Sequence, residues 1–287
     1  EVQLIKEGLT LEQKISLIKS CDLIFNYCEG YKSRNREALL PAILEKLGKP
    51  YVGSDAFANA LTTSKSHTKV IAKHLGIKTP EWIEVYKGRI YKDKNMAFPR
   101  IVKPNREGNS GGLYLVNSIE EQSLIVEKLS KIYDELLIEE FIDGREITVP
   151  VIGSDENADA LVVIETLTSS GRPLSVYSRE EKADDTHIKV IAGLDSKTEE
   201  KIKNDSLKLY TYLKCADYAR LDYKLVGNQP YFLEINLLPS LTVSSSFFVC
   251  AELIGMRFDQ LIMKVLESAL ARTAKNECCR KDELQPC

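Results

Sequence analysis

The chain has 287 residues, with 39 Lys and Arg against 42 Asp and Glu and a formal charge of −3. That balance excludes the strongly basic surface that a nucleic-acid partner or an acidic membrane requires. A hydrophobic content of 44% with 28% charged residues is that of an ordinary globular chain with a sizeable core. No apolar run approaches the ~20 residues of a membrane span. The start, Glu1-Val2-Gln3-Leu4, leads straight into helix-like sequence, and the expectation is that no secretory leader is present. The seven cysteines lack metal spacing, and Cys21, Cys28, Cys215 and Cys250 stand in apolar surroundings, as small core residues of a reducing, cytoplasmic protein do.

A capping box, Thr10-Leu11-Glu12-Gln13, predicts a helix to about residue 19. Residues 22–26 read as a buried strand, 36–47 as a helix closed by Gly48, and 50–53 as a short strand and turn. This alternation points to a parallel α/β lobe. A further helix over 64–75 stops at Gly76 and Pro80. From Trp82 the texture changes to short strands at 81–85, 100–103 and 136–140, with a helix capped by Ser118 and Glu121 between the last two. The remainder predicts strands at 146–152 and 160–166, a helix over 197–213 opened by Ser196 and Glu199, a hairpin of 218–226 and 231–237, and helices at 246–254 and 258–271. The expected division is an α/β lobe at 1–80, a small α+β lobe at 81–142 and a larger one at 143–275. A polar tail, 276–287, reads as disordered.

The hairpin carries Arg220-Leu221-Asp222 and Glu234-Ile235-Asn236. Side chains two apart on a strand share a face, so Glu234 and Asn236 point together and antiparallel pairing brings Asp222 near them. Two carboxylates and an amide oxygen repel one another unless a cation joins them. Mg²⁺ (or Mn²⁺) suits such hard oxygen donors and takes few protein ligands. A hairpin with a plain polar outer face is the alternative. A hydroxyl-rich loop, 237–246, follows and suits an anion.

Upstream, Lys103 ends a strand and leads into Asn105-Arg106-Glu107-Gly108-Asn109-Ser110-Gly111-Gly112. Such a loop lets backbone N–H groups wrap a phosphate, or is simply a flexible hairpin. It fits neither the P-loop nor the dinucleotide fingerprint. The apolar strand 137–142, running into Gly144, offers backbone groups and flat apolar contacts to a purine, and also reads as an interlobe hinge.

Together these segments resemble the ATP-grasp superfamily, in its D-alanine–D-alanine ligase branch, from about residue 22 to 271. The matching stretches are Phe25-Asn26-Tyr27-Cys28-Glu29-Gly30, Pro50-Tyr51-Val52-Gly53-Ser54-Asp55, Ile101-Val102-Lys103-Pro104 with Arg106-Glu107-Gly108, then 139–146 and 233–242. The resemblance implies an α/β and α+β architecture, the ATP-grasp fold, with a shortened N-terminal α/β lobe and two α+β lobes clasping ATP. It also implies an ATP- and Mg²⁺-dependent ligase that joins a carboxylate to an amine through an acyl phosphate. By resemblance, Lys65 and Lys103 contact phosphates beside the loop of Glu107, Gly108 and Ser110. Glu139, Glu140, Phe141 and Ile142 form the adenine strand, and Glu146 takes the ribose hydroxyls. Asp222, Glu234 and Asn236 match metal ligands, and Arg220 a residue that steadies the intermediate. Lys182, on a mobile loop at 178–186, matches a γ-phosphate contact, and Ser245 a contact to the second substrate's carboxylate.

Departures accompany the matches. About 21 residues precede the Asp22 strand, so the family's first strand–helix unit and its substrate-binding glutamate are not matched. The expectation is an acyl-donor site open to solvent or completed by a partner chain, with ATP hydrolysis by this chain alone poorly coupled to amide formation. Ser240 replaces the glycine of the oxyanion site, and Ala183 a tyrosine of the mobile loop. The expected product is the D-alanine dipeptide; the alternatives are a ligase for other amino acids or peptides in secondary metabolism, and a non-catalytic ATP-binding regulator. Expected partners are ATP and amino-acid or small-peptide substrates, with a homodimer allowed and neither nucleic acid nor membrane.

Overall fold

The structure, a computed structural model, describes the chain apart from residues 1, 3, 4, 6, 7, 32, 91–94, 109–110, 175–186, 243–244 and 284–287, and apart from the side chains of 276–283. The helix α1 (Leu11–Ser20) opens on the expected box. Thr10 Oγ1 accepts from Gln13 N at 3.3 Å, and Gln13 Oε1 accepts from Thr10 N at 2.9 Å. Strands β1 (Ile24–Phe25) and β2 (Tyr51–Val52) pair in parallel, which requires a crossover, and α2 (Arg36–Lys46) supplies it. Ile18, Ile24, Leu44 and Tyr51 make the small core beneath. Next come α3 (Ala56–Thr62), whose first turn is capped by Asp55 at 2.7 Å from Ala58 N, and α4 (Lys65–His74).

A second, antiparallel sheet follows, of β3 (Trp82–Tyr86), β4 (Arg89–Ile90), β5 (Arg100–Pro104), β6 (Tyr114–Val116) and β7 (Glu135–Glu140), in the order β4-β3-β7-β5-β6. One face packs Ile83, Val85, Val102, Leu136 and Ile138 against Val126 and Leu129 of α5 (Ile119–Ser130). Alternation leaves Ile101, Lys103 and Glu139 on the other face.

The third sheet holds β8 (Arg145–Ile152), β9 (Asp159–Ala160), β10 (Ile164–Leu167), β11 (Ile188–Ile191), β12 (Tyr218–Val226) and β13 (Gln229–Asn236). Its order is β11-β10-β8-β12-β13, with β9 also on β8. Ile147, Val149, Leu221 and Tyr223 pack beneath it on Ile202 and Leu209 of α6 (Ser196–Tyr212). The helices α7 (Ser246–Leu253) and α8 (Phe258–Glu283) complete the chain. Among the described residues no helix is long and apolar enough to cross a membrane.

Three expectations need correction. The strand expected over 160–166 is two strands, β9 and β10, both on β8. The register slips between them opposite Pro150, which has no N–H to give the ladder. The cap of α6 is Asp195, which accepts from Thr198 N at 3.0 Å, so the helix starts one residue before the expected box. The tail expected to be disordered is helical as far as Glu283, with neither glycine nor proline in the span to stop α8.

The lobes meet around Asp217, which is fully buried and has a positive φ of 68°. Its carboxylate accepts from Gly53 N at 2.7 Å, Ser268 Oγ at 2.9 Å and Arg272 Nη2 at 2.7 Å. Arg272 also donates to Tyr51 O at 2.8 Å. One ion pair thus ties β2, the start of β12 and α8 together. Arg272→Met leaves a buried carboxylate without its cation and should lower the unfolding free energy by about 3 kcal/mol. Urea titration checks this, and the double variant with Asp217→Asn should recover part of the loss.

Candidate active site

The hairpin β12–β13 contains a bulge. Asp222 pairs with Glu234, but the next pair is Tyr223 with Phe232, so Leu233 is the extra residue. Simple alternation from the core residue Phe232 would send Glu234 into the core. The inserted residue turns Glu234 and Asn236 to the opposite face, where Asp222 and Arg220 stand across from them. On the next strands the same face carries Thr148, opposite Asp222, and Glu146, opposite Lys224. Thr148 donates its hydroxyl proton to Asp222 Oδ1 at 2.9 Å. Lys224 Nζ lies 2.7 Å from Glu146 Oε2.

Facing this surface is the inner side of the second sheet. Lys103 Nζ is 2.7 Å from Glu139 Oε2, and Lys69 Nζ, from α4, is 3.2 Å from Glu139 Oε1. One turn earlier on α4, Lys65 Nζ reaches Glu234 Oε2 at 3.1 Å and donates to Glu107 O at 2.6 Å. The start of α4 is held from the other lobe, since Ser66 N donates to Asn105 Oδ1 at 3.0 Å and Asn105 Nδ2 to Glu135 Oε2 at 2.9 Å. Between the two sheets runs a cleft with apolar walls from Ile101, Leu113, Phe141, Ile142 and Leu233. Gly144 is required at its hinge, because a Cβ there would meet Leu225 O at 2.6 Å.

The ion pairs set the charges. Burial pushes the Glu139 carboxyl up, but Lys103 and Lys69 outweigh it and hold the group below the usual range. Burial likewise raises Glu234, and Lys65, Lys103 and Arg220 reverse this to about 2. Burial pulls Lys69 down to about 8, against the attraction of Glu139. Glu139 and Glu234 are therefore ionised at neutral pH, and the carboxylate of Glu139 favours the ammonium form of Lys69.

The cleft gathers Lys65, Lys103, Glu107, Glu139, Glu140, Phe141, Ile142 and Glu146 with Arg220, Asp222, Glu234 and Ser245. Gly108 and Asn236 line an adjoining hollow that shares Lys65, Glu107 and Glu234 with it. Ser110 and Lys182, with Ala183 and the loop 178–186, lie outside the described residues. Among the described residues no three His, Cys, Asp or Glu side chains cluster as a metal site. The hairpin's two carboxylates and one amide remain an adequate set for a hard divalent ion that keeps room for phosphate oxygens. Asn236 Oδ1 accepts from Leu238 N at 2.9 Å, which fixes its direction.

Lys69, Lys224, Thr148 and Leu233 were not anticipated. Lys69 is one helical turn from Lys65, and Lys224 is two residues from Asp222 on the same face, so periodicity alone could have marked both. For pH, the sign at Glu139 follows from a folded pKa below the unfolded one. Its stabilising contribution is complete above the ordinary value of 4.5 and is lost as pH falls below it. Glu139→Gln should therefore be less stable than the original at neutral pH, with the gap closing on acidification in urea titrations at several pH values.

The chain is similar in sequence and fold to known proteins. The family model described as D-ala D-ala ligase C-terminus matches residues 71–267. The D-alanine–D-alanine ligase of Aquifex aeolicus is 34% identical over 232 residues, covering 80% of this chain and 77% of that protein. The crystal structure of D-alanine–D-alanine ligase from Bacillus anthracis complexed with ATP matches with a TM-score of 0.76 and 26% identity, over 92% of this chain and 84% of that one. The VanG D-Ala:D-Ser ligase from Enterococcus faecalis shares the fold, with a TM-score of 0.70 at 24% identity over 86% and 73% of the two chains. The chain belongs to the D-alanine–D-alanine ligase family of ATP-grasp enzymes and is an ATP-dependent ligase that forms amide bonds.

Proposed function

We propose that the chain joins two D-alanine molecules at the cleft between its second and third sheets, with ATP as the source of energy. The observation that carries this reading is the bulged hairpin, which sets Asp222 opposite Glu234 on a face that Lys65 and Lys103 approach from two other parts of the fold. The apolar walls take the adenine, and Glu146 the ribose. Lys65 and Lys103 offset phosphate charge, with Lys182 and Ser110 added by resemblance. Asp222, Glu234 and Asn236 hold Mg²⁺, which when bound neutralises developing charge on the phosphates. Ser245 Oγ accepts from Phe248 N at 3.2 Å and caps α7. The start of that helix, with Ser240 and Ser246 also on the cleft, suits the carboxylate of the second substrate. Arg220, whose Nη2 donates to Asp222 Oδ2 at 2.8 Å, is positioned to steady the acyl phosphate and the tetrahedral species that follows.

Mass spectrometry of products formed from ATP, Mg²⁺ and a pool of D- and L-amino acids tests the reading. A D-alanine dipeptide supports it, and phosphate release without any amino-acid dependence overturns it. Glu234→Gln should cut turnover by ~10²-fold or more, because it removes a charge facing the metal and phosphates. Its circular dichroism should be unchanged. Lys103→Ala should weaken ATP binding roughly tenfold in calorimetry and also cost ~1–3 kcal/mol of stability, since Glu139 then keeps one cation of two.

A further inference from the structure

Lys69 is fully buried and does not line the cleft, yet its charge is aimed at the cleft's inner wall. Its Nζ lies 3.2 Å from Glu139 Oε1 and donates to Thr79 Oγ1 at 2.8 Å. Thr79 in turn donates to the carbonyl of Phe232, beside the bulge, at 2.7 Å. The other oxygen of Glu139 is 2.7 Å from Lys103 Nζ. Two ammonium groups thus share one carboxylate. We infer that Lys69 is a positioning residue for the nucleotide: by taking part of Glu139's charge, it leaves Lys103 a net positive charge to present to the phosphates.

The inference rests on the reading above that Lys103 meets the phosphates of ATP. The charge count makes it specific. Lys69, Glu139 and Lys103 together carry one net positive charge. Without Lys69, Glu139 and Lys103 form a closed neutral pair, and an approaching phosphate would have to compete with Glu139 for Lys103. Burying a lysine is costly, as its lowered pKa of about 8 reflects, and packing alone does not require it, since methionine has similar length and volume. The hydroxyl of Thr79 keeps its bond to Phe232 O whether or not Lys69 is present, so the loss of Lys69 acts chiefly on Glu139.

Charge rescue separates this role from a purely structural tie between α4 and the second sheet. ATP·Mg²⁺ binding to the whole chain would be measured by calorimetry for the original protein, Lys69→Met, Glu139→Gln and the double variant. Because Glu139 itself lines the cleft, the effect of Lys69→Met is read within each Glu139 background. The expected result is roughly tenfold weaker binding for Lys69→Met alone, and less than about a threefold difference between Glu139→Gln and the double variant. Unchanged binding in Lys69→Met, or an equal loss in both backgrounds, would overturn the inference. Replacing both members of a buried charged pair is better tolerated than removing one. Should Lys69→Met fail to fold, the neutral but more polar Lys69→Gln takes its place in both backgrounds, with the same two outcomes. An original chain that binds no ATP would instead refute the assignment of the cleft.

Discussion

Two carboxylates, the buried Glu139 and the half-buried Glu234, stand in one cleft, and the structure depends on how they are neutralised. A buried charge without a partner costs several kcal/mol. The partners here come from separate parts of the chain: Lys65 and Lys69 from α4, Lys103 from the second sheet and Arg220 from the third. Each carboxylate has one cation from its own sheet and another from α4. Charge balance therefore adds to packing in fixing how the lobes sit. Asn105 acts in the same sense with neutral groups, since a loop of the second sheet completes the first turn of a helix from the N-terminal lobe.

The third sheet divides its labour by face. Ile147, Val149, Leu221 and Tyr223 point down to α6 and carry stability, while Glu146, Thr148, Arg220, Asp222 and Lys224 point up to the cleft. Because the two sets alternate along the same strands, a rigid core directly holds the reactive face. Precise placement of charged groups is what electrostatic catalysis needs, since groups already oriented cost nothing to reorganise during reaction.

Much of this was legible in the residues. Period-two alternation marked the hairpin and the shared face of Glu234 and Asn236, and the strand–helix alternation near the N-terminus marked the parallel pair. The family resemblance supplied Lys65, whose helix gives no local hint of a phosphate. Other features depend on contacts between segments distant in sequence. The one-turn spacing puts Lys69 on the face of α4 that carries Lys65, but the burial of that face against β7 depends on a contact distant in sequence. The break opposite Pro150 needed knowledge of which strand that proline serves. Asp195 and Ser196 are both good helix caps, and local chemistry does not choose between them. The polar composition at the end of α8 reads as disorder, whereas the absence of glycine and proline lets the helix run on to Glu283.

The bulge at Leu233 also bears on how this chain tolerates change. Its side chain lines the cleft, and the bulge absorbs it as one extra link in β13, so that Glu234 still pairs with Asp222 and faces outward. Many replacements at that position would preserve the count. Deleting Leu233 would leave Glu234 directly after Phe232, where simple alternation turns it outward opposite Asp222 and keeps Ile235 in the core. The strand thus keeps its outward oxygen atoms with or without the extra link, because the bulge takes up the difference. Alignments of related chains that open a gap at this point would describe proteins whose regular hairpin presents the same oxygen atoms.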